Sequence, residues 1–183
     1  MNPEEQFAAR EAAANPVTIT LPDRGQTYKR LQSEATATIK ELRDNDTKVD
    51  TPALGAKVGF TGAAQGKLFK GDGMAQALVP HIPEMLEKAT LVFHELPKRG
   101  DGSHLAVARL VARVVTQEGQ LDVWMVIHRT KEGDWYYDHR HTEVQPAGAY
   151  RMRSPLTGAG LPTRATHSTP KIEVPASVPP KGP

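Results

Sequence analysis

Three consecutive runs rich in β-branched and aromatic residues constrain the fold of this chain most strongly. They span residues 104–116, 121–130 and 134–144. Short segments rich in turn-forming residues, 117–120 and 131–134, separate them. Runs of this kind joined by such turns are typical of antiparallel hairpins. The sequence therefore predicts a three-stranded antiparallel meander, although the apolar spacing of the first run also fits a helix.

The rest of the chain supplies helices and short strands around this meander. Pro80 and Pro83 must lie in the first turns of the helix that contains them or break it. The predicted fold class is α+β, with helices packed on one face of a small antiparallel sheet and an extended proline-rich tail. The pattern predicts helices over 3–14, 25–43 and 74–88, strands over 17–21, 57–62 and 91–96, and a polar connector over 44–57.

Composition divides the chain into three parts. Residues 145–183 hold eight of the 15 prolines, five Lys or Arg and one acid, so this segment carries a charge of +4. Because the whole chain is +2, residues 1–144 carry −2. A nucleic-acid partner would therefore need a local basic patch. We expect an N-terminal helix and arm over 1–24, one domain over 25–144 and a basic tail over 145–183.

Two classes of chemistry are excluded by residue type. The chain has no cysteine, so disulfides, thiolate metal sites and cysteine nucleophiles are ruled out. No stretch approaches the roughly 20 apolar residues of a membrane-spanning helix, and the N-terminus lacks the pattern of a signal peptide. We expect a protein with no membrane partner and no cofactor.

Alternation along the strands sorts the meander into two faces. With Glu118-Gly119 as a two-residue turn, Arg113 faces Trp124 and Arg109 faces His128. With a four-residue second loop, His128 faces Tyr137. One face is then apolar and suits packed helices, with Ala108, Leu110, Ala112, Val114, Val123, Met125 and Ile127. The other face carries Arg109, Arg113, Trp124, His128, Tyr137, His139 and His141.

The second face has the residue types of a nucleic-acid site. Arginines neutralise phosphates, aromatic rings stack on bases, and histidines exchange protons near neutral pH. A solvated outer surface is the simpler explanation, because antiparallel sheets commonly have one wet side. A one-residue change in the second loop would send His139 and His141 to the helix side.

Two further patterns suggest binding chemistry. The segment from Gly62 to Leu68 resembles a phosphate loop but lacks the required spacing and the Ser or Thr that binds magnesium, so we reject it, although Lys67 could still reach a phosphate. His139, His141 and Glu143 alternate on one strand, and with His128 they could bind zinc or iron. Their spacing matches no common metalloenzyme pattern, and we predict no metal.

Residues 55–144 resemble a known family of domains. The segments that carry the resemblance are Val58-Gly59-Phe60-Thr61, the helix from Ala77 to Ala89 with its Ile-Pro-Glu-Met-Leu-Glu-Lys-Ala ending, and the final Trp135-Tyr136-Tyr137-Asp138-His139-Arg140-His141-Thr142-Glu143. They are similar to nuclease domains of the barnase–EndoU–colicin–RelE-like superfold that occur in polyvalent proteins of phages and mobile elements. The resemblance implies helices on one side of an antiparallel sheet and an active site on the open side.

The resemblance also implies metal-independent RNA cleavage by acid–base catalysis. His139 and His141 would be the acid and the base, with His128 orienting a partner. Arg109, Arg113 and Lys67 would bind phosphate, while Tyr137 and Trp124 would hold the nucleobase of the RNA. The protein would then act in the host cytoplasm or belong to the phage virion.

A second function stays open beside the ribonuclease. The alanine-rich N-terminal helix and the tail have little apolar area of their own to bury. A non-catalytic virion structural or adaptor protein would have both segments ordered by partners in a large assembly. We therefore carry two expectations, an RNA-cleaving domain and a structural protein that contacts its partners through residues 1–24 and 145–183.

Overall fold

A computed structural model shows, within the residues that it describes, a seven-stranded sheet with four helices. The model describes residues 3–22, 27–61, 73–95 and 104–147. The helices are α1 (Pro3–Ala14), α2 (Tyr28–Asp44), α3 (Gly73–Leu78) and α4 (Ile82–Lys88). The strands are β1 (Val17–Thr18), β2 (Val49–Thr51), β3 (Ala56–Phe60), β4 (Thr90–Glu95), β5 (His104–Thr116), β6 (Gly119–Thr130) and β7 (Trp135–Pro146).

The predicted meander forms the centre of the sheet. Strands β5, β6 and β7 are neighbours, and both of their connections are antiparallel. The sheet continues from β7 to β3 in parallel and then to β2, while β1 and β4 share the free edge of β5. The α+β class and the meander are therefore confirmed, and the helical alternative for residues 104–116 is wrong.

The prolines divide the predicted helix over residues 74–88. α3 ends at Leu78, a 3-10 turn covers Val79–His81, and α4 then starts at Ile82. Pro80 and Pro83 each lie at the first positions of a new segment, where a missing backbone N–H costs nothing. The prediction that these prolines must begin a helix or break one is confirmed.

The polar connector predicted over residues 44–57 is wrong in part. Val49–Thr51 forms β2, which pairs antiparallel with β3, and Pro52–Leu54 makes a 3-10 turn. Only Val49 and Thr51 of this strand are buried, and the exposed Asp50 lies between them. One apolar residue beside two polar ones is too short a pattern to indicate a strand.

The main core lies between the sheet and helices α2 to α4. All seven residues predicted for the apolar face are buried in it, together with Ile39 of α2 and Met85 of α4. Burial of a branched side chain is worth about 1.5–3 kcal/mol, so this face supplies much of the stabilisation. The N-terminal arm adds to the same core through Val17, Ile19 and Leu21.

Helix α1 packs on the opposite face of the sheet. Ala8, Ala9 and Ala12 are buried against Val111 of β5 and Trp124 of β6. Alanine side chains are small enough to let a helix approach a sheet closely. The expectation that no helix covers this second face is therefore wrong where Val111 and Trp124 lie.

Candidate functional site

The second face of the sheet divides into two parts, which differ in what covers them. We call the part under α1 the covered half, and it contains Arg109, Val111, Arg113, Asp122 and Trp124. We call the other part the histidine cluster, and it contains His128, Asp138 and His141. Both parts use strands of the meander, so their differences come from local register and from α1.

The arginines of the covered half are paired within the chain. Arg109 Nη1 lies 3.0 Å from a carboxylate oxygen of Glu5 in α1, and its guanidinium carbon lies 4.9 Å from the centre of the Trp124 ring. Arg113 Nε donates to Asp122 Oδ1 at 2.6 Å, and its Nη2 donates to the Ala9 carbonyl oxygen. The structure thus places both arginines predicted to bind phosphate in contacts with α1.

The register of β5 and β6 differs from the predicted one by two residues. Thr116 pairs with Gly119, so Arg113 lies opposite Asp122 rather than Trp124. A shift of two residues leaves every side chain on its predicted face, because the strand repeats every two residues. The face assignments for Arg109, Arg113, Trp124 and His128 therefore survive, although their predicted partners are wrong.

The register of β6 and β7 differs by one residue, which reverses the start of β7. His128 lies opposite Tyr136, not Tyr137. Tyr137 consequently points to the helix side, where it is fully buried in the main core beside Phe60. The placement of Tyr137 on the same face as His128 is wrong, and Tyr136 takes that place with its ring stacked 5.6 Å from that of His128.

A bulge in β7 then separates the two histidines of this strand. Trp124 pairs with Glu143 and Val126 pairs with Asp138, so residues 139–142 all lie opposite Met125. His139 points into the interior, whereas His141 reaches the side of Asp138. Bulges commonly re-aim side chains in this way. The predicted shared face of His139 and His141 is wrong.

His139 belongs to a buried network rather than to the exposed surface. The hydroxyl of Tyr137 contacts His139 Nδ1 at 2.7 Å and Thr142 Oγ1 at 2.6 Å. Burial lowers the pKa of His139 to about 4, and burial also raises the pKa of Tyr137 above its ordinary value. His139 is neutral at neutral pH, and only 5% of its surface is exposed, so it cannot meet a large substrate in this fold.

The histidine cluster brings two imidazoles to one buried carboxylate. Asp138 Oδ2 lies 3.2 Å from His128 Nε2 and 3.3 Å from His141 Nδ1. The exposed fraction of the side chain rises from 2% for Asp138 to 12% for His128 and 41% for His141. The carboxylate of Asp138 is therefore buried in the sheet face, whereas the imidazole of His141 lies at the surface.

Asp138 is the member of this cluster that the sequence analysis missed. Aspartate is depleted in strand interiors and is almost never fully buried without partners. An aspartate flanked by Tyr137 and His139 within a predicted strand was therefore a usable signal. Glu143, which the sequence grouped with His139 and His141 for metal binding, lies 3.8 Å from Arg109 in the covered half instead.

One predicted site residue cannot be placed. Lys67 lies outside the residues that the structure describes, as do most of the glycine-rich segment around it and the tail beyond residue 147.

Away from the histidine cluster, a small cavity lies between the N-terminal arm, α2 and α3. Its volume is about 200 Å³, and its lining includes Thr20, Leu31, Gln76 and His81. Burial lowers the pKa of His81. Small-molecule sites usually occupy about 300–1,000 Å³, so this cavity is small for a substrate pocket.

The fold and the cluster together define a small α+β domain with a polar site on its sheet. A family model described as large polyvalent protein-associated domain 3 matches residues 26–137, which is more than half of the chain. The chain therefore belongs to the large polyvalent protein-associated domain 3 family. The match includes His128 and ends just before Asp138.

This family membership confirms the coarser part of the recognised resemblance, a domain associated with large polyvalent proteins, and it fits the predicted phage or mobile-element origin. The nuclease identity stays a prediction. No curated protein and no solved structure matches the chain. Among the helices in the described ranges, none has the length and apolar character needed to cross a membrane.

Proposed function

We propose that this domain cleaves RNA and that the histidine cluster is its reaction centre. The observation that carries the proposal is the convergence of His128 Nε2 and His141 Nδ1 on Asp138 Oδ2, within 3.3 Å. A carboxylate behind an imidazole fixes the orientation of the ring, as reaction centres require. The resemblance to barnase–EndoU–colicin–RelE-like nucleases supplies the substrate class.

The proposed reaction centre differs from the one expected from the sequence, because it pairs His141 with His128 and not with His139. His141 lies at the surface, and we propose that His128, which lies beside it, orients a partner. His139 does not join them, because it contacts Tyr137 in the core. Tyr136 provides an aromatic ring beside the cluster, where Tyr137 was expected.

The test is cleavage of a single-stranded RNA by the full chain, measured with EDTA and separately with added Zn²⁺. We expect cleavage in at least one buffer and a loss of at least about 100-fold in the His141→Ala variant, the scale of a lost proton-transfer group or ligand. His94→Ala is the matched control, because His94 is an exposed histidine on β4, outside the cluster. RNA that stays intact at micromolar protein in both buffers would contradict the proposal.

A second candidate is the structural or adaptor protein, which two observations favour. Arg109 and Arg113 are engaged by Glu5 and Asp122 within the chain. Phe7 of α1 is 65% exposed, which suits a contact with another protein. An adaptor role predicts intact RNA, together with a Phe7→Ser variant that folds normally and is lost from purified phage particles.

A further inference from the structure

Three potential metal ligands from two neighbouring strands converge on one point. His128 comes from β6, and Asp138 and His141 come from β7 on either side of its bulge. One ligand atom from each residue lies within 4.8 Å of the ligand atoms of the other two. The bulge creates this arrangement, because Asp138 and His141 are three residues apart and would point to opposite faces of a regular strand.

Two of the three distances between ligand atoms in the cluster are close to those around a four-coordinate transition-metal ion. Zinc binds histidine nitrogen and carboxylate oxygen at about 2.0–2.2 Å, which places neighbouring ligand atoms of a tetrahedron about 3.3–3.6 Å apart. Asp138 Oδ2 lies 3.2 Å from the nitrogen of His128 and 3.3 Å from that of His141. A small closure of the side chains would complete three coordination bonds.

The chemistry of the ligand atoms selects the class of ion. Two imidazoles and one carboxylate favour zinc and neighbouring first-row metals, whereas magnesium and calcium prefer an all-oxygen set. The chain has no cysteine, which rules out thiolate ligands but not ligands of this nitrogen and oxygen type.

Burial in the cluster is typical of a metal site with one open position. Asp138 is 2% exposed and both ring nitrogens of His128 are buried, so the inner ligands are shielded from bulk water. Tyr136 stacks on the His128 ring and fixes its plane. His141 is 41% exposed, so the open position would face solvent on its side. Catalytic zinc sites keep three protein ligands and one such position.

A metal ion would also compensate for the lack of a second exposed histidine in this cluster. Acid–base cleavage of RNA needs one group that removes a proton and one that returns it. In the described part of this cluster only His141 is substantially exposed. An ion beside the phosphate would stabilise negative charge and would supply the acid–base chemistry that His141, as one of its ligands, could not.

We propose that His128, Asp138 and His141 form a binding site for a divalent transition-metal ion of the zinc class. The role of the ion in RNA cleavage rests on the proposed function, but the binding site does not. This proposal replaces the metal-independent mechanism and the absence of a metal that were expected from the sequence. Its third ligand is Asp138, not His139 or Glu143, which the sequence pattern had offered as possible ligands.

The experiment is isothermal titration of tag-free, full-length protein with Zn²⁺ after treatment with a chelator. We expect one ion per chain at the cluster. His141→Ala and Asp138→Asn should each weaken binding at least about 100-fold, whereas His94→Ala and Glu143→Gln should leave it unchanged. Circular dichroism of each variant shows whether it is folded, and His141 is exposed enough for its replacement to be tolerated.

A second metal separates this site from weak surface binding. Co²⁺ in a four-coordinate site absorbs visible light, and that absorption should disappear in His141→Ala. Zinc binding that is absent, or that is unchanged in His141→Ala, would overturn the metal site. RNA cleavage in EDTA with no zinc binding would overturn the metal site but keep the proposed function. Zinc binding without RNA cleavage would do the reverse.

Discussion

The covered half and the histidine cluster lie on the same face of the same sheet, yet they hold their charges in different ways. In the covered half, Arg109 and Arg113 each meet a carboxylate, and α1 packs over them. In the histidine cluster, one carboxylate faces two imidazoles. Polar composition alone did not distinguish these parts. A cationic sheet face therefore indicates a ligand only when its charged side chains are not already paired within the chain.

The largest effect is expected from breaking the buried ion pair of the covered half. In Asp122→Ala, Arg113 keeps a side chain that is only 12% exposed but loses its partner at 2.6 Å. Removal of one member of a buried pair typically costs about 3–5 kcal/mol, so we expect the free energy of unfolding in urea to fall by about that amount. The double variant Arg113→Met with Asp122→Leu should recover most of the loss. A loss below about 1 kcal/mol would show that this half does not depend on the pair.

The next largest effect is expected in the pH dependence of stability, and it comes from His139 on the inner side of β7. The pKa of His139 is lowered to about 4 in the folded protein, from an ordinary value of 6.5. The unfolded chain therefore binds more protons between these values, and stability falls as pH decreases from about 6.5 to about 4. The difference corresponds to about 3 kcal/mol once both states are protonated.

The check is the free energy of unfolding measured against pH in EDTA, for the original protein and for His139→Gln. Asp138 is the charged group that acts on His139, and it favours protonation without outweighing burial. We expect the variant to lose the decline over this pH range while retaining the acid transition of the carboxylates below it. Equal slopes in both proteins would mean that His139 is accessible to water.

The smallest effect is expected from the exposed end of the histidine cluster. His141→Ala should change the free energy of unfolding by no more than about 0.5 kcal/mol, because exposed side chains contribute little to stability. The same variant is expected to lose zinc binding and RNA cleavage. A loss of several kcal/mol in metal-free protein would show that the cluster, like the covered half, mainly holds the fold together.

The sequence predicted the centre of the fold because its signals there were local. The long runs of β5 and β6 alternate clearly, and a two-residue error in their turn preserved both faces. Helix α1 could not be placed, because its alanines indicate little amphipathic character and its contact between Glu5 and Arg109 joins residues far apart in sequence. Short strands such as β2 carry too few residues for a period to be recognised.

The sequence also predicted the candidate site only in part, because only its local alternation could be recognised. His128 and His141 were placed on one face, and they lie on one face. The prediction failed between them because the second loop allows more than one length, and Thr130 N–H donates to the Asp134 carbonyl oxygen at 2.8 Å in the observed loop. The bulge after Asp138 then changed the alternation again. Neither event leaves a periodic signal in the sequence.

The bulge in β7 lets one short stretch of chain serve two environments at once. On the inner side, His139 and Thr142 both contact the Tyr137 hydroxyl at hydrogen-bonding distance. Asp138 and His141 lie together on the opposite face of the sheet. In an unbroken strand, every change made for the surface would constrain the neighbouring positions of the interior. Here an insertion or deletion within residues 139–142 would exchange the two sets, so the length of this segment decides which histidine meets solvent.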